Sequence, residues 1–253
     1  MPNPHLPEEL LDHIASLLYD ERDELKNCCL VSKPWIPRTR KHLFARLGFH
    51  TPRNLQSWKN TFPDPSTSPA RYTQNLFIDC PQAVTAKDAE EDGWITAFTR
   101  VVHFELDIRK RNFNDPAVSL VPFHAFSPII RSLRVTTNRF PPSRTFDLIN
   151  SFPLLEDLSV ATYDGSRSYD GHNNRSTAVQ PLSPPLFTGF LELLVEMGPI
   201  ASRLLSLPGR LHFRKLNLAW SHENDVSFTT ALVESCGSTL ESLYIDCRLG
   251  ASL

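Results

Sequence analysis

The sequence predicts an α/β protein: a small all-α segment of three short helices, followed by an irregular solenoid of alternating strands and helices. Three observations carry that prediction. Apolar residues between Leu6 and Leu47 recur at helical spacing. Beyond Thr73 an apolar-x-x-apolar-x-apolar frame appears seven times, and its last two apolar positions alternate with polar ones, the mark of a strand with one buried side. Proline is plentiful (21) and glycine scarce (9), which suits many short elements separated by Pro-marked turns.

The first helix lies in LPEELLDHIASLL, residues 6–18. Leu10, Ile14, Leu17 and Leu18 fall on one side, and Glu8, Glu9 and Asp12 lie near the opposite side and the first turn. Pro7 suits the first helical position. After the polar break YDERDE, the run LKNCCLVS places Leu25, Cys28, Cys29 and Val31 on one face of a second helix, with Leu30 at its edge. A third helix is expected to begin near Pro37, because proline fits a first turn but not an interior. Trp35, Leu43, Phe44 and Leu47 are its large apolar groups, while Arg38, Arg40, Lys41 and Arg46 can stay in water. Three helices in about 45 residues is close to the size at which a domain seldom holds itself together without outside help.

Leu6-Pro7, Glu9, Leu10, Ile14, Leu17, Leu25, Leu30-Val31-Ser32-Lys33, Trp35 and Leu43-Phe44 follow in an order and at spacings that resemble an F-box over roughly residues 4–47. The Pro34/Pro37 pair flanking Trp35 departs from the commonest pattern. The resemblance implies that Leu6, Pro7, Leu10, Ile14, Leu17, Leu25, Leu30, Val31, Trp35, Leu43 and Phe44 form the surface that packs on a Skp-type adaptor. In that family the adaptor bridges to a cullin and so to a ubiquitin-transferring RING subunit. The physical sense is that an apolar surface too large for a tiny domain to hide is hidden by a partner. Burial of the same stripes against each other and the rest of the chain is the competing reading.

Residues 1–50 are therefore expected to form one unit and residues 51–70 a helical linker, with Leu55, Trp58 and Phe62 at helical spacing. Residues 71–253 hold the repeating frame, at Thr73/Leu76/Ile78, Val101/Phe104/Leu106, Ile130/Leu133/Val135, Leu155/Leu158/Val160, Thr188/Leu191/Leu193, Phe213/Leu216/Leu218 and Leu240/Leu243/Ile245. Successive starts are 28, 29, 25, 33, 25 and 27 residues apart. Amphipathic pieces lie between them: Trp94, Ile95 and Phe98 behind an Asp88/Glu91 capping box, then TFDLINSF and VSFTTALVESC. The array resembles degenerate leucine-rich repeats, which implies a curved solenoid with the strands lining its concave side. An irregular α/β domain with chance periodicity is the alternative. The polar stretch 162–185 is expected to project as a loop. The sequence stops just past a repeat strand, which predicts either a continuation or something else covering that end.

Composition narrows the function classes. A formal net charge of −2 lacks the basic excess of a general nucleic-acid or membrane-surface binder. No stretch approaches the roughly 20 apolar residues of a membrane span, and PLFTGFLELLVEMG is broken by Glu192 and Glu196. Met1 to His5 is polar, and the five cysteines have no regular spacing, so reduced thiols and an intracellular location, cytoplasmic or nuclear, are expected. No G-x-S-x-G, G-x-x-x-x-G-K-[ST], G-x-G-x-x-G, H-E-x-x-H or C-x-x-C motif occurs. No enzyme activity, metal or cofactor is expected.

Period-2 alternation nominates the side chains facing away from the core, among them Asp79, Glu105, Asp107, Arg134, Asp157, Lys215, Asn217, Tyr244 and Asp246, as a surface for a protein substrate. Asp79, Asp107 and Asp246 occupy the same place in their repeats, which predicts an acidic lane suited to a basic segment; ordinary solvated polar decoration is the plain alternative. Together these resemblances imply a substrate-recognition subunit of an SCF-type ubiquitin ligase. A scaffold that binds the adaptor without directing ubiquitination is the other function the sequence leaves open.

Overall fold

The computed structural model describes residues 6–79, 81, 84, 93–108, 121–126, 129–137, 142–162, 185–194, 198–207, 209, 211–220 and 225–247. Three helices lead: α1 (Glu8–Leu17), α2 (Arg22–Val31) and α3 (Trp35–Leu43). Strand β1 (Arg46–Phe49) and helix α4 (Pro52–Thr61) follow at once. Next come β2 (Asn75–Ile78), β3 (His103–Ile108), β4 (Ser132–Thr137), α5 (Pro142–Asn150) and β5 (Asp157–Thr162). The series closes with β6 (Phe190–Leu194), α6 (Gly198–Leu205), β7 (Lys215–Trp220), α7 (Asp225–Cys236) and β8 (Ser242–Cys247).

The eight strands form one parallel sheet in chain order, each beside its sequence neighbour. Parallel neighbours need a return crossover, and here the returns cover one face. Each strand points alternate residues inward, so that Leu76, Phe104, Leu133, Leu158, Leu191, Leu216 and Leu243 stand in one row across the sheet. Ile78, Leu106, Val135, Val160, Leu193 and Leu218 stand in the next and are buried. Phe98, Phe123, Phe126, Phe152, Phe187 and Phe213 pack against these rows from the returns, in one continuous core. This is the α/β arrangement and strand register that the seven frames predict.

A repeated hydrogen-bond device spaces the strands. The carbonyl of Ala45 accepts two successive N–H groups, from Gln74 and Asn75. Gln74 does the same for Val102 and His103, Val102 for Arg131 and Ser132, and Arg131 for Glu156 and Asp157. Gly189 and Arg214 repeat it toward β7 and β8. Each strand entry is thereby set one step from the last with its backbone donors satisfied.

The β5–β6 step breaks this pattern, and one frame slips with it. Thr188, expected to point inward, is exposed, and Phe187 fills the place at φ +46°, its ring 5.1 Å from that of Phe213. One extra residue separates Phe187 from Leu191, relative to Phe213 and Leu216, and the left-handed residue absorbs it. The Phe190 N–H then donates to Asp157 Oδ1 at 2.7 Å instead of to a carbonyl. A Cβ on Gly189 would stand 2.0 Å from that oxygen.

Several boundaries move. The sheet begins at Arg46, inside the stretch expected to be helical, and α4 is the first return rather than a linker, with Leu55 buried and Trp58 against the core. Helix α2 starts at Arg22, three residues ahead of Leu25. Helix α3 starts at Trp35, so Pro37 sits in its first turn, where its missing N–H costs nothing. Trp94, Ile95 and Phe98 are buried as expected, but as a 3-10 turn (Trp94–Ala97) and the residue after it. The Asp88/Glu91 capping box and residues 163–184 of the expected loop lie outside the described residues. At the far end, Leu243 and Tyr244 of β8 are exposed.

Gly189→Ala should destabilise the fold by about 1–3 kcal/mol through overpacking against Asp157. The loss should shrink when Asp157 is also replaced by Ala, as read by urea midpoints in a double-mutant cycle.

Candidate functional site

Two surfaces stand out: the outer side of the helical unit, and the face of the sheet that the returns leave open. In the helical unit, α3 packs against both α1 and α2. Leu11 and Ala15 of α1, Leu25 of α2 and Thr39 of α3 are buried. Thr39 Oγ1 donates to the Trp35 carbonyl at 2.8 Å and lies 2.8 Å from Cys29 Sγ, and burial pushes the neighbouring Cys28 thiol above its usual range. Arg38 clamps α3 to α1, its guanidinium 2.8 Å from Glu8 and 3.0 Å from Asp12.

That inner seam consumes a different set of residues from the predicted stripe. Leu6, Pro7 and Leu10 are exposed and Ile14 half-buried, while Leu17, Leu30 and Val31 are 71%, 85% and 69% exposed. The competing burial within the chain holds for Leu25 and in part for Ile14, Trp35, Leu43 and Phe44, but not for Leu6, Leu10, Leu17, Leu30 and Val31. Not all the expected adaptor-facing residues lie on the outer side. Leu25 is fully buried in the seam. Trp35 and Leu43 are half-buried, and Phe44 turns its ring toward Trp58 of α4 and Phe62 just after it, at 5.9 and 6.2 Å. Ile36, exposed beside Trp35, joins the apolar surface without having been singled out.

The helical unit is joined directly to the sheet. Only Phe44 and Ala45 separate α3 from β1; Ala45 is buried, and the Phe44 carbonyl accepts from Thr73 Oγ1 at 2.9 Å. Arg46 lies over the Tyr19 ring at 4.4 Å and bonds Asp20 at 3.1 Å. The His42 ring meets Tyr19 edge-on, and burial, then the Lys41 charge, lower its pKa against a smaller upward pull from Asp12.

On the open face, side chains stand in cross-strand rows. One row runs Gly48, Phe77, Glu105, Arg134, Ser159, Glu192, Asn217 and Tyr244. Glu105 and Arg134 face each other at 3.9 Å. Glu192 accepts from Ser159 Oγ at 2.5 Å and from Asn217 Nδ2 at 2.8 Å, which ties β5, β6 and β7 together. Lys215 and Tyr244 are exposed, whereas Asp157 is occupied in holding β6.

The acidic lane is not displayed. Asp79 and Asp107 are buried and Asp246 half-buried, because the row nearest the C-terminal ends of the strands is covered: Thr136, Ala161 and Ala219 in that row are buried too. A shallow depression of about 360 Å³ lies instead on β1–β4, lined by Arg46, Asn75, Phe77, His103, Glu105, Ser132 and Arg134 among others. Arg46 escaped the sequence-based reading because β1 looked like the end of a helix. The alternation of Arg46, Gly48 and His50 with Leu47 and Phe49 was the available signal.

Among the described residues, no three His, Cys, Asp or Glu side chains gather as a metal would require, and no helix is long and apolar enough to cross a membrane. Comparison with known proteins finds no family model, no curated protein and no solved structure that matches this chain.

Because the folded His42 binds a proton less readily than the unfolded one, its contribution is complete above the unfolded pKa near 6.5 and is lost as pH falls from there through the lower folded pKa. Acidification from about pH 7 to 5 should therefore lower the Tm. His42→Gln should flatten that slope in thermal scans.

Proposed function

We propose that the chain is a substrate receptor of the SCF type, with F-box-like N-terminal helices that dock on a Skp-type adaptor. The sheet that follows, in this reading a degenerate leucine-rich-repeat solenoid, takes a protein substrate on its open face. The observation that carries the proposal is the exposure of Leu10, Leu17, Leu30 and Val31 at positions where the resemblance places adaptor contacts. Soluble chains rarely leave such large apolar groups facing water on neighbouring helices unless a partner covers them. Full burial of each leucine or valine contributes about 1.5–3 kcal/mol, so three or four of them supply a strong anchor.

A receptor of this kind acts by positioning. The adaptor holds the helical unit and the substrate sits on the sheet, so the distance between them must not wander. The two-residue connection from α3 to β1, with Ala45 buried and accepting from both Gln74 and Asn75, meets that need.

The test is co-purification of the full chain with a purified Skp-type adaptor. Wild type should co-elute, and Leu10→Asp with Leu30→Asp should elute alone. Both sites are exposed, so each change should alter stability by no more than about 0.5 kcal/mol, and unchanged thermal unfolding confirms that the loss is one of docking. Wild type eluting alone at micromolar concentrations overturns the proposal. Capture without any cullin-dependent change in a bound partner's half-life assigns the non-degradative scaffold instead.

A further inference from the structure

We propose that the depression on β1–β4 binds an acidic peptide segment carrying an aromatic side chain. The inference rests on the receptor reading for its biological role and adds the chemistry of the substrate. It reverses the charge preference that the aspartates of the repeats suggest by sequence alone.

Phe77 supplies the apolar floor. It is half-buried on an otherwise polar row, and its ring lies 5.0 Å from that of His50. Gly48 beside it brings no side chain of its own, and the space a Cβ would take is filled by His50, whose Nε2 would stand 3.0 Å away, and by the Phe77 ring at 3.6 Å. An incoming aromatic ring would meet the exposed part of Phe77 offset or edge-on, the arrangements such pairs prefer.

Two guanidinium groups flank that floor, Arg46 on β1 and Arg134 on β4, with side chains 62% and 52% exposed. Arg46 lies over the Tyr19 ring and bonds Asp20 through one Nη; a guanidinium has five donors, so others remain for a ligand. Arg134 approaches Glu105 only through Nε and only at 3.9 Å, which leaves its Nη groups for a bidentate carboxylate. Among the described residues Glu105 is the one carboxylate lining the depression, and Asp79 and Asp107, which would have made the face acidic, are buried. A basic segment would thus meet two exposed guanidinium groups, with Glu105 inside the depression and Asp20 behind Arg46 as the carboxylates beside them. An acidic one gains both guanidinium groups, and its carboxylates are steered to the side of Arg134 away from Glu105.

The test uses fluorescently labelled, end-blocked peptides of repeating Glu-Phe-Asp, Lys-Phe-Arg and Glu-Ser-Asp, titrated with the full chain. Glu-Phe-Asp should bind tightest, weaken with added salt, and lose about tenfold or more with Arg134→Glu. Arg134→Lys, which keeps the charge but not the paired donors, should lose less than Arg134→Glu but still weaken binding several-fold, and Phe77→Ser should reduce Glu-Phe-Asp to the level of Glu-Ser-Asp. Arg203→Glu, exposed on α6 among the returns on the other side of the sheet, should leave binding unchanged. Equal or tighter binding of Lys-Phe-Arg, or indifference to Arg134→Glu in a chain with unchanged thermal unfolding, overturns the proposal. Adaptor capture is measured separately, so a chain that captures adaptor but fails these titrations sinks the peptide site alone, and one that binds Glu-Phe-Asp without adaptor sinks the receptor role alone.

Discussion

The strand-entry ladder is the constraint on which the rest depends. A single carbonyl accepts two successive N–H groups at each step, from Ala45 through Gln74, Val102 and Arg131, and again from Gly189 and Arg214. Hydrogen bonds of this kind contribute little net free energy one by one, but leaving a buried donor unmade is costly. The ladder therefore acts mainly as a ruler: it excludes registers in which a donor would be stranded. With register set, inward rows align into a continuous core and outward rows align into a continuous surface. The step at β6 obeys the same rule by another route, with the Asp157 carboxylate taking the place of a carbonyl.

The first rung of that ruler is also the end of the helical unit. Ala45 belongs to the turn after α3, its N–H bonded to the His42 carbonyl, while its own carbonyl starts the ladder. Phe44 is likewise shared, with its carbonyl bonded to Thr73 and its ring against Trp58 and Phe62. Helices and sheet are thus one packed object at this joint, not two domains on a flexible tether. The helical unit uses its inner seam, Leu11, Ala15, Leu25 and Thr39, to fold and keeps a separate set of apolar side chains on its outside.

The two surfaces differ in how their chemistry arises. The apolar set on α1 and α2 exists because a ten-residue helix has more apolar positions than one neighbouring helix can cover. The depression on β1–β4 exists because outward rows on a parallel sheet bring residues about 28 positions apart in sequence into lateral contact, as with Phe77, Glu105 and Arg134. No local stretch of chain contains that combination. On β5–β7 the same row is spent on cross-strand bonds centred on Glu192.

By itself the sequence determined the things that depend on local periodicity. The L-x-x-L-x-L frame placed β2 to β8 and their mutual register, because alternation and repeat spacing are properties of the chain alone. The three helices were legible for the same reason, within a few residues at their ends. Only the tertiary structure decided which side of each helix met a neighbour, and so which leucines stayed outside. It decided that Leu25 is seam and Leu30 is surface, that Arg46 opens a strand and not a last helical turn, and that Asp79 and Asp107 are covered while Arg46 and Arg134 face water. Exposure is a property of what packs alongside, and residues far away in the chain set it.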